Sequence, residues 1–305
     1  MALVLRHFVA QHPHAGRLRK RRDRRLAAIK PSSADRIWYA QTLSRHVITR
    51  LRTAGVDVLE ALRPHWPMVR DAAPPTIKHE IAKARGRLEG MKSFAVSVSS
   101  DFAKRAVANV DDKLSSAIKG NLGVDIRRNL MEHGPILTEM QRAQRENVEL
   151  ITSIPEQYFD ELEERLAEGW NAGASWTSMV DDVARIGEVA ENRAAFIARD
   201  QTNKANAAFN RVRQTGLGIK RAEWQTAGDG LVRDTHAEME GKTFEWDDPP
   251  LVGDDYLLPG EDYNCRCTGA PIVDLDELPE PDLAEVEGGD QAFDGLYADI
   301  FRAAA

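Results

Sequence analysis

The apolar residues of this chain recur every three or four positions over most of its length. That spacing gathers them on one face of an α-helix and excludes the two-residue alternation of a strand. The first stripe follows a capping-box-like segment at 32–35 and stops before Pro64 and Pro67, since proline breaks helices. Its members are Ile37, Ala40, Leu43, Val47, Leu51, Ala54, Val58 and Leu62. The pattern predicts a mainly α-helical protein.

Further stripes of the same spacing continue this pattern. One is predicted to end at Pro155, and the last and longest runs over 192–214 and stops at Gly216, a natural C-terminal residue of a helix. We assign residues 32–190 to a helical body. The later stripes lie within 77–91, 107–118, 137–151, 158–166, 179–186 and 197–212.

The pattern changes after Gly216. Alternating residues at 221–226 predict a strand, and Thr235 is predicted to cap one short helical turn that carries His236 and ends at Gly241. Residues 191–275 are therefore predicted to form a small α+β domain with short strands. Its other segments are a turn at 227–230, a strand at 242–246, a loop at 247–264 and a strand at 270–273.

The two ends of the chain carry opposite charge, although the whole chain has a net charge of only −7. Residues 1–31 are predicted to be a basic arm, and residues 276–305 an acidic tail. The run at 17–25 has no accompanying base-reading motif, so it fits either electrostatic contact with DNA phosphates or a solvated tail. Its basic members, the candidate DNA contacts, are Arg17, Arg19, Lys20, Arg21, Arg22, Arg24 and Arg25.

Cys265 and Cys267 are the only cysteines of the sequence. A disulfide between residues so close would close a strained ring, so we expect free thiols and a reducing compartment. No run of about 18 apolar residues exists, so no membrane partner is expected.

The two thiols share a turn-rich segment with His236 and Asp229. Thiolate, imidazole and carboxylate are zinc ligands, so these four residues are a candidate metal site. The alternative is a hydrogen-bonded polar cluster with small buried thiols. A cysteine–histidine nucleophile lacks a recognisable orienting group, and no catalytic residue or other cofactor is predicted.

The chain resembles the phage Mu F-like minor head proteins, also called phage head morphogenesis proteins. The resemblance extends over about residues 153–273. Leu231 departs from it, because the family often carries arginine there. The residues that carry it include Arg199, Asp200, Asn203, Trp224, Asp229, Arg233, His236, Gly241, Pro249, Pro250, Pro259, Gly260, Asn264, Cys265 and Cys267.

The resemblance implies a minor capsid protein of a tailed bacteriophage. Such a protein lies near the portal inside the virion head, is assembled in the bacterial cytoplasm, and acts in procapsid assembly and in DNA packaging or ejection. The implied partners are the portal protein, capsid or scaffold proteins and packaged DNA. The alternative is a metal-dependent enzyme or toxin-like effector delivered with the phage DNA.

The polar residues at 199–206 crowd one predicted helix. One interpretation is a solvated helix face. The other is that Arg199, Asp200 and Asn203 bond the turns of the small domain.

The basic arm generates a salt-dependence prediction. Neutralising Arg19, Lys20, Arg21 and Arg22 should weaken DNA binding and reduce the slope of log K against log salt by about 0.9 per lost phosphate contact. Titration of labelled duplex at several salt concentrations measures both. Salt-insensitive binding by the unmodified protein would assign the arm to another partner.

Overall fold

The computed structural model describes residues 5–10, 23–66, 75–130, 134–275 and 278. Contacts divide the chain into two compact units, one of residues 1–32, 103–143 and 202–305 and the other of residues 33–102 and 144–201. We call them the mixed unit and the helical unit. This division does not follow the four predicted ranges, because each of three long helices contributes residues to both units. The ranges themselves stay a prediction.

The mainly α fold with short antiparallel strands in the C-terminal part is confirmed. The helices are α1 (Leu5–Ala10), α2 (Ser33–Leu43), α3 (Thr49–Leu62), α4 (Pro75–Gly86), α5 (Met91–Leu122), α6 (Arg127–Leu130), α7 (Gly134–Ala172), α8 (Trp176–Gly216) and α9 (Asp234–Ala237). The strands are β1 (Asp23–Arg25), β2 (Arg221–Gln225), β3 (Thr243–Glu245), β4 (Leu251–Val252), β5 (Asp255–Tyr256) and β6 (Thr268–Asp274). No helix in these ranges has the length and apolar character needed to cross a membrane.

The first predicted stripe is interrupted by a π-helical turn, Ser44–Ile48, between α2 and α3. The stripe is buried from Leu43 onward, but Ile37 is 51% exposed and Tyr39 is buried in its place. A π turn adds a residue per turn and so rotates the preceding helix face relative to a regular 3.6-residue pattern. The Tyr39 hydroxyl donates to Asn147 Oδ1 at 2.7 Å inside the helical unit.

The predicted helix end at Pro155 is wrong, because α7 continues through this proline. The buried residues Ile151, Ile154, Tyr158 and Leu162 stay in phase on both sides of it. Their continuous burial offsets the roughly 3 kcal/mol that a proline costs inside a helix. Similarly, the two stripes predicted within 179–214 belong to one helix, α8, whose predicted end at Gly216 is confirmed.

The mixed unit contains a four-stranded antiparallel sheet in the order β1-β6-β2-β3. Strand β6 is central, and Trp224 of β2 lies opposite Gly269 of β6. Two segments differ from their predictions. Strand β1 comes from the range predicted as an arm, and β4 and β5 form a hairpin inside the range predicted as a loop. The sheet and following loops enclose a core of Ala222, Trp224, Met239, Phe244, Trp246, Val252, Leu258, Cys265 and Cys267.

Buried amides on α8 tie this sheet to the helix. Asn206 donates to the Ile29 carbonyl at 2.7 Å. Asn210 and Gln214 both donate to the Gly269 carbonyl at 3.3 Å. Asp200, Gln201, Thr202 and Asn203 are buried too, so the solvated-face interpretation of this helix is wrong.

A buried ion pair joins α8 to α5 in the mixed unit. Arg213 donates to both carboxylate oxygens of Asp111, at 2.7 and 2.8 Å, and its side chain is 2% exposed. Burial raises the pKa of Asp111, while the hydrogen bond and charge of Arg213 oppose that rise. The guanidinium of Arg213 therefore compensates part of the cost of burying the Asp111 carboxylate in its charged form.

Replacing Arg213 with methionine should cost about 3–5 kcal/mol of unfolding free energy, because it leaves the Asp111 carboxylate buried without its cation. The pKa of Asp111 in the folded variant should rise further above its unfolded value. Folding then favours the protonated acid, so the loss is smallest below the unfolded pKa and grows as pH rises through the folded pKa. Chemical denaturation across the acidic range measures this.

The neighbouring Asp112 supplies the matched control, since it pairs with Arg127 at the surface with 60% of its side chain exposed. Asp112→Asn should change stability much less. The double variant Asp111→Leu/Arg213→Met should recover a large part of the loss, because it removes both buried charges. Equal losses for Arg213→Met and Asp112→Asn would contradict the assignment.

Candidate functional site

Strand β2 and helix α9 position one side of the site. Backbone hydrogen bonds link Trp224 N to Lys242 O at 2.8 Å and Gly241 N to Trp224 O at 2.9 Å. Gly241 adopts a φ of +74°, a left-handed conformation that glycine accepts readily. The predicted helical turn around His236 is present, but Arg233 rather than Thr235 is its N-cap and makes no side-chain capping bond. Helix α9 is therefore held in position by tertiary packing and not by a side-chain cap.

The loop before β6 positions the other side. Gly260 has a φ of +92°, and a Cβ atom there would lie 2.5 Å from the Ala207 Cβ of α8. Asn264 has a φ of +53°. Asparagine is one of the few residues other than glycine that adopts this conformation readily. These two positions seat the loop on α8 and turn the chain just before Cys265.

The structure brings His236, Cys265 and Cys267 together. His236 Nδ1 lies 3.4 Å from Cys265 Sγ and 3.5 Å from Cys267 Sγ. All three residues are buried, and their potential ligand atoms lie within 4.8 Å of one another. The two cysteines lie on the same loop segment, separated by Arg266, and both thiols reach one imidazole.

Asp229, the fourth predicted member, does not join this cluster. Its carboxylate accepts a bidentate pair of hydrogen bonds from Arg266 and a third bond from the Leu231 N–H at 3.1 Å. These contacts, first that with Arg266, lower the pKa of Asp229. Arg266 lies between the two cysteines in sequence, so the salt bridge fastens the 227–230 turn to the cysteine segment.

Asp262 takes a position that sequence reasoning missed. Its Oδ2 lies 3.3 Å from His236 Nε2 and accepts a hydrogen bond from Arg233 at 2.6 Å. Arg233 also donates to the Tyr263 carbonyl at 2.5 Å. Only the closeness of Asp262 to Cys265 in sequence could have drawn attention to it, because the contact with His236 spans the chain between them.

The two thiols have unequal acidity. Hydrogen bonding from Cys267, aided by backbone N–H groups and His236, lowers the pKa of Cys265 to about 6. The pKa of Cys267 is raised, first by its hydrogen bond with Cys265 and then by burial.

A small cavity of about 130 Å³ opens beside the cluster. Its wall includes His236, Asn264 and Arg266 along with both cysteines. Pockets for drug-sized ligands are typically about 300–1,000 Å³, so this cavity suits water or a small ion.

The remaining predicted positions are distributed through the fold. Trp224 is fully buried, with its ring centroid 5.7 Å from that of His236. Arg199 lies over the ring of Phe196 at 5.5 Å. Of the candidate DNA contacts, Arg24 donates to the Asn121 carbonyl and Arg25 pairs with Glu223. Arg17, Arg19, Lys20, Arg21 and Arg22 lie outside the described residues.

The chain is a mainly helical protein with a small antiparallel sheet and a buried cluster of two thiols and one imidazole. Residues 160–270 match the model of the family described as Phage Mu protein F like protein. The match contains α8 and the whole site, and it confirms the resemblance: this part of the chain is a Mu F-like segment.

Two relatives match larger stretches. An uncharacterized protein of Haemophilus influenzae is 29% identical over 267 residues, which cover 85% of this chain and 58% of the relative. The NAD(+)–arginine ADP-ribosyltransferase EFV of Enterococcus faecalis is 25% identical over 167 residues, which cover 48% of this chain and 33% of that protein. The chain thus spans between a third and three fifths of the relatives it matches. No solved structure matches it significantly.

The seating of the cysteine loop on α8 is testable at Gly260. Gly260→Ala should lower the unfolding free energy by about 1–3 kcal/mol, because the new methyl group meets Ala207 and the backbone is left-handed there. Denaturant unfolding followed by tryptophan fluorescence measures the loss. The control is Gly230→Ala, where a Cβ meets nothing within 4 Å. Equal stability of the two variants would show that the loop does not depend on this contact.

Proposed function

We propose that this chain is a portal-proximal minor capsid protein of a tailed bacteriophage. It acts in procapsid assembly and in DNA packaging or ejection, and it is assembled into heads in the host cytoplasm. The observation that carries the proposal is the family match over residues 160–270, which includes α8, strands β2–β5, the start of β6 and the thiol–imidazole cluster.

The helical unit offers a surface suited to protein partners. Within it, α7 and α8 line a groove of about 570 Å³ whose walls combine charged and apolar side chains. Asp160, Glu164 and Arg185 line it, and Val189, 67% exposed, provides an apolar contact. We propose that portal, capsid or scaffold proteins contact this groove, because its charged side chains can form ion pairs and Val189 an apolar contact with a partner.

The proposed contact with packaged DNA involves fewer residues than the seven basic residues at 17–25 that the sequence predicts. Arg24 and Arg25 are engaged with Asn121 and Glu223 in the mixed unit. The proposal therefore concerns Arg17, Arg19, Lys20, Arg21 and Arg22.

The alternative, a toxin-like effector delivered with the DNA, draws support from the similarity to the Enterococcus ADP-ribosyltransferase. That similarity covers a third of the relative. We propose that the shared segment is a module common to both proteins and that the transferase activity does not accompany it.

The structural role predicts that the protein is present in low copy in portal-containing particles. Quantitative mass spectrometry of purified procapsids and virions should find it at substoichiometric ratio to the major capsid protein. Heads assembled without portal, the matched control, should lack it.

Two outcomes would contradict this proposal. Equal abundance in heads with and without portal would contradict the portal-proximal position, although the chain would still be a head protein. Absence from both procapsids and virions would overturn the structural role and favour the effector.

A further inference from the structure

We propose that His236, Cys265 and Cys267 bind one zinc ion, with a water molecule as the fourth ligand. The ion would fasten helix α9 to the loop that precedes β6. This inference concerns the architecture of the mixed unit and stands apart from the portal-proximal role.

The distances fit a tetrahedral centre. Zinc–sulfur bonds of about 2.3 Å and zinc–nitrogen bonds of about 2.0–2.1 Å give a nitrogen–sulfur edge of about 3.6 Å at the tetrahedral angle. The two edges in the structure are 3.4 and 3.5 Å. Both sulfurs converge on the same ring nitrogen, which carries one lone pair or one proton and so can serve only one of them as a hydrogen-bond partner. A cation between the three atoms satisfies all of them.

The other imidazole nitrogen has the partner that a zinc-bound histidine usually has. His236 Nε2 faces Asp262 Oδ2 at 3.3 Å, and Arg233 holds that carboxylate at 2.6 Å. With the ring proton on Nε2, beside Asp262, the lone pair is on Nδ1, on the side of the sulfurs. A carboxylate in this position fixes the tautomer and raises the basicity of the ligand.

Two N–H groups lie close to the sulfurs. The backbone N–H of Cys267 donates to Cys265 Sγ at 3.4 Å. The indole N–H of Trp224 is fully buried without an ordinary hydrogen-bond acceptor and lies beside Cys267. Two thiolates neutralise a divalent cation, so a buried centre of this composition carries no net charge.

The fourth ligand is a water rather than Asp229. Asp229 is held by both guanidinium nitrogens of Arg266. The cavity of about 130 Å³ beside the cluster has room for water and polar wall groups to bind it. Three protein ligands and one open position are also found in catalytic zinc sites, but this cavity is too small for a typical organic substrate.

The experiment uses the full chain, purified without chelators from zinc-supplemented medium. Mass spectrometry of metals should find one zinc per chain. After removal of zinc, cobalt(II) should give a tetrahedral spectrum with thiolate-to-cobalt charge transfer. Because the chain contains no other cysteine, that band reports Cys265 and Cys267 alone.

Variants locate the ion. Cys265→Ser, Cys267→Ser and His236→Gln should lose stoichiometric zinc, whereas the matched controls Asp229→Asn and His79→Gln should keep it, since His79 is exposed and outside the cluster. Asp262→Asn should keep zinc but weaken its affinity about 10–100-fold, as measured by competition with a chromogenic chelator.

Measurements on the unmodified protein test the zinc proposal even if a ligand variant does not fold. Negligible zinc, a thermal transition unchanged by EDTA and cobalt without sulfur charge transfer would together overturn the proposal. Full zinc occupancy in Cys265→Ser or Cys267→Ser would also overturn it, because the ion would then lie elsewhere.

Discussion

The mixed unit depends on a row of buried amides along helix α8. Asn206, Asn210 and Gln214 lie four residues apart, on one helix face, and donate to the carbonyls of Ile29 and Gly269. Gln214 also accepts a hydrogen bond from the Trp246 indole at 3.1 Å. Buried carbonyls cost about 1–3 kcal/mol each when left unpaired. Apolar residues on this face would bury the same area and lose the hydrogen bonds that fix the sheet against the helix.

The position of the thiol–imidazole cluster follows from this arrangement. Gly269, which accepts two of the amide hydrogen bonds, is two residues beyond Cys267. A Cβ on Gly269 would lie 2.6 Å from the Trp246 ring, so helix, strand and aromatic core meet at this glycine. On the other side of the cysteines, Gly260 packs against Ala207 of the same helix. Helix α8 therefore fixes both ends of the segment that brings the two sulfurs to His236.

The sequence predicted features that depend on local patterns, and it failed where distant partners decide. Helical spacing, the end of α8 and the turn at His236 are local, and so were recognisable. The amides of α8 were ambiguous, because their partners are backbone carbonyls that no side-chain pattern reveals. Strand β1 pairs Asp23 with Asp274, and nothing local marks such a contact. Asp262 contacts His236 only in the folded chain, and the sequence alone therefore favoured Asp229 as the partner. In the structure Asp229 forms a salt bridge with Arg266 instead.

The structural unit in this chain is larger than its family-matched segment. The match over 160–270 includes only the first three residues of β6 and excludes β1, which covers one edge of that strand. It also excludes Ile29, whose carbonyl accepts the Asn206 amide, and Asp111, which neutralises the buried Arg213. Separated from the rest, the segment would expose a strand edge and leave a buried cation and an amide unpaired. Residues that precede the match thus complete the module that contains the site, which agrees with the 85% of the chain shared with the Haemophilus relative.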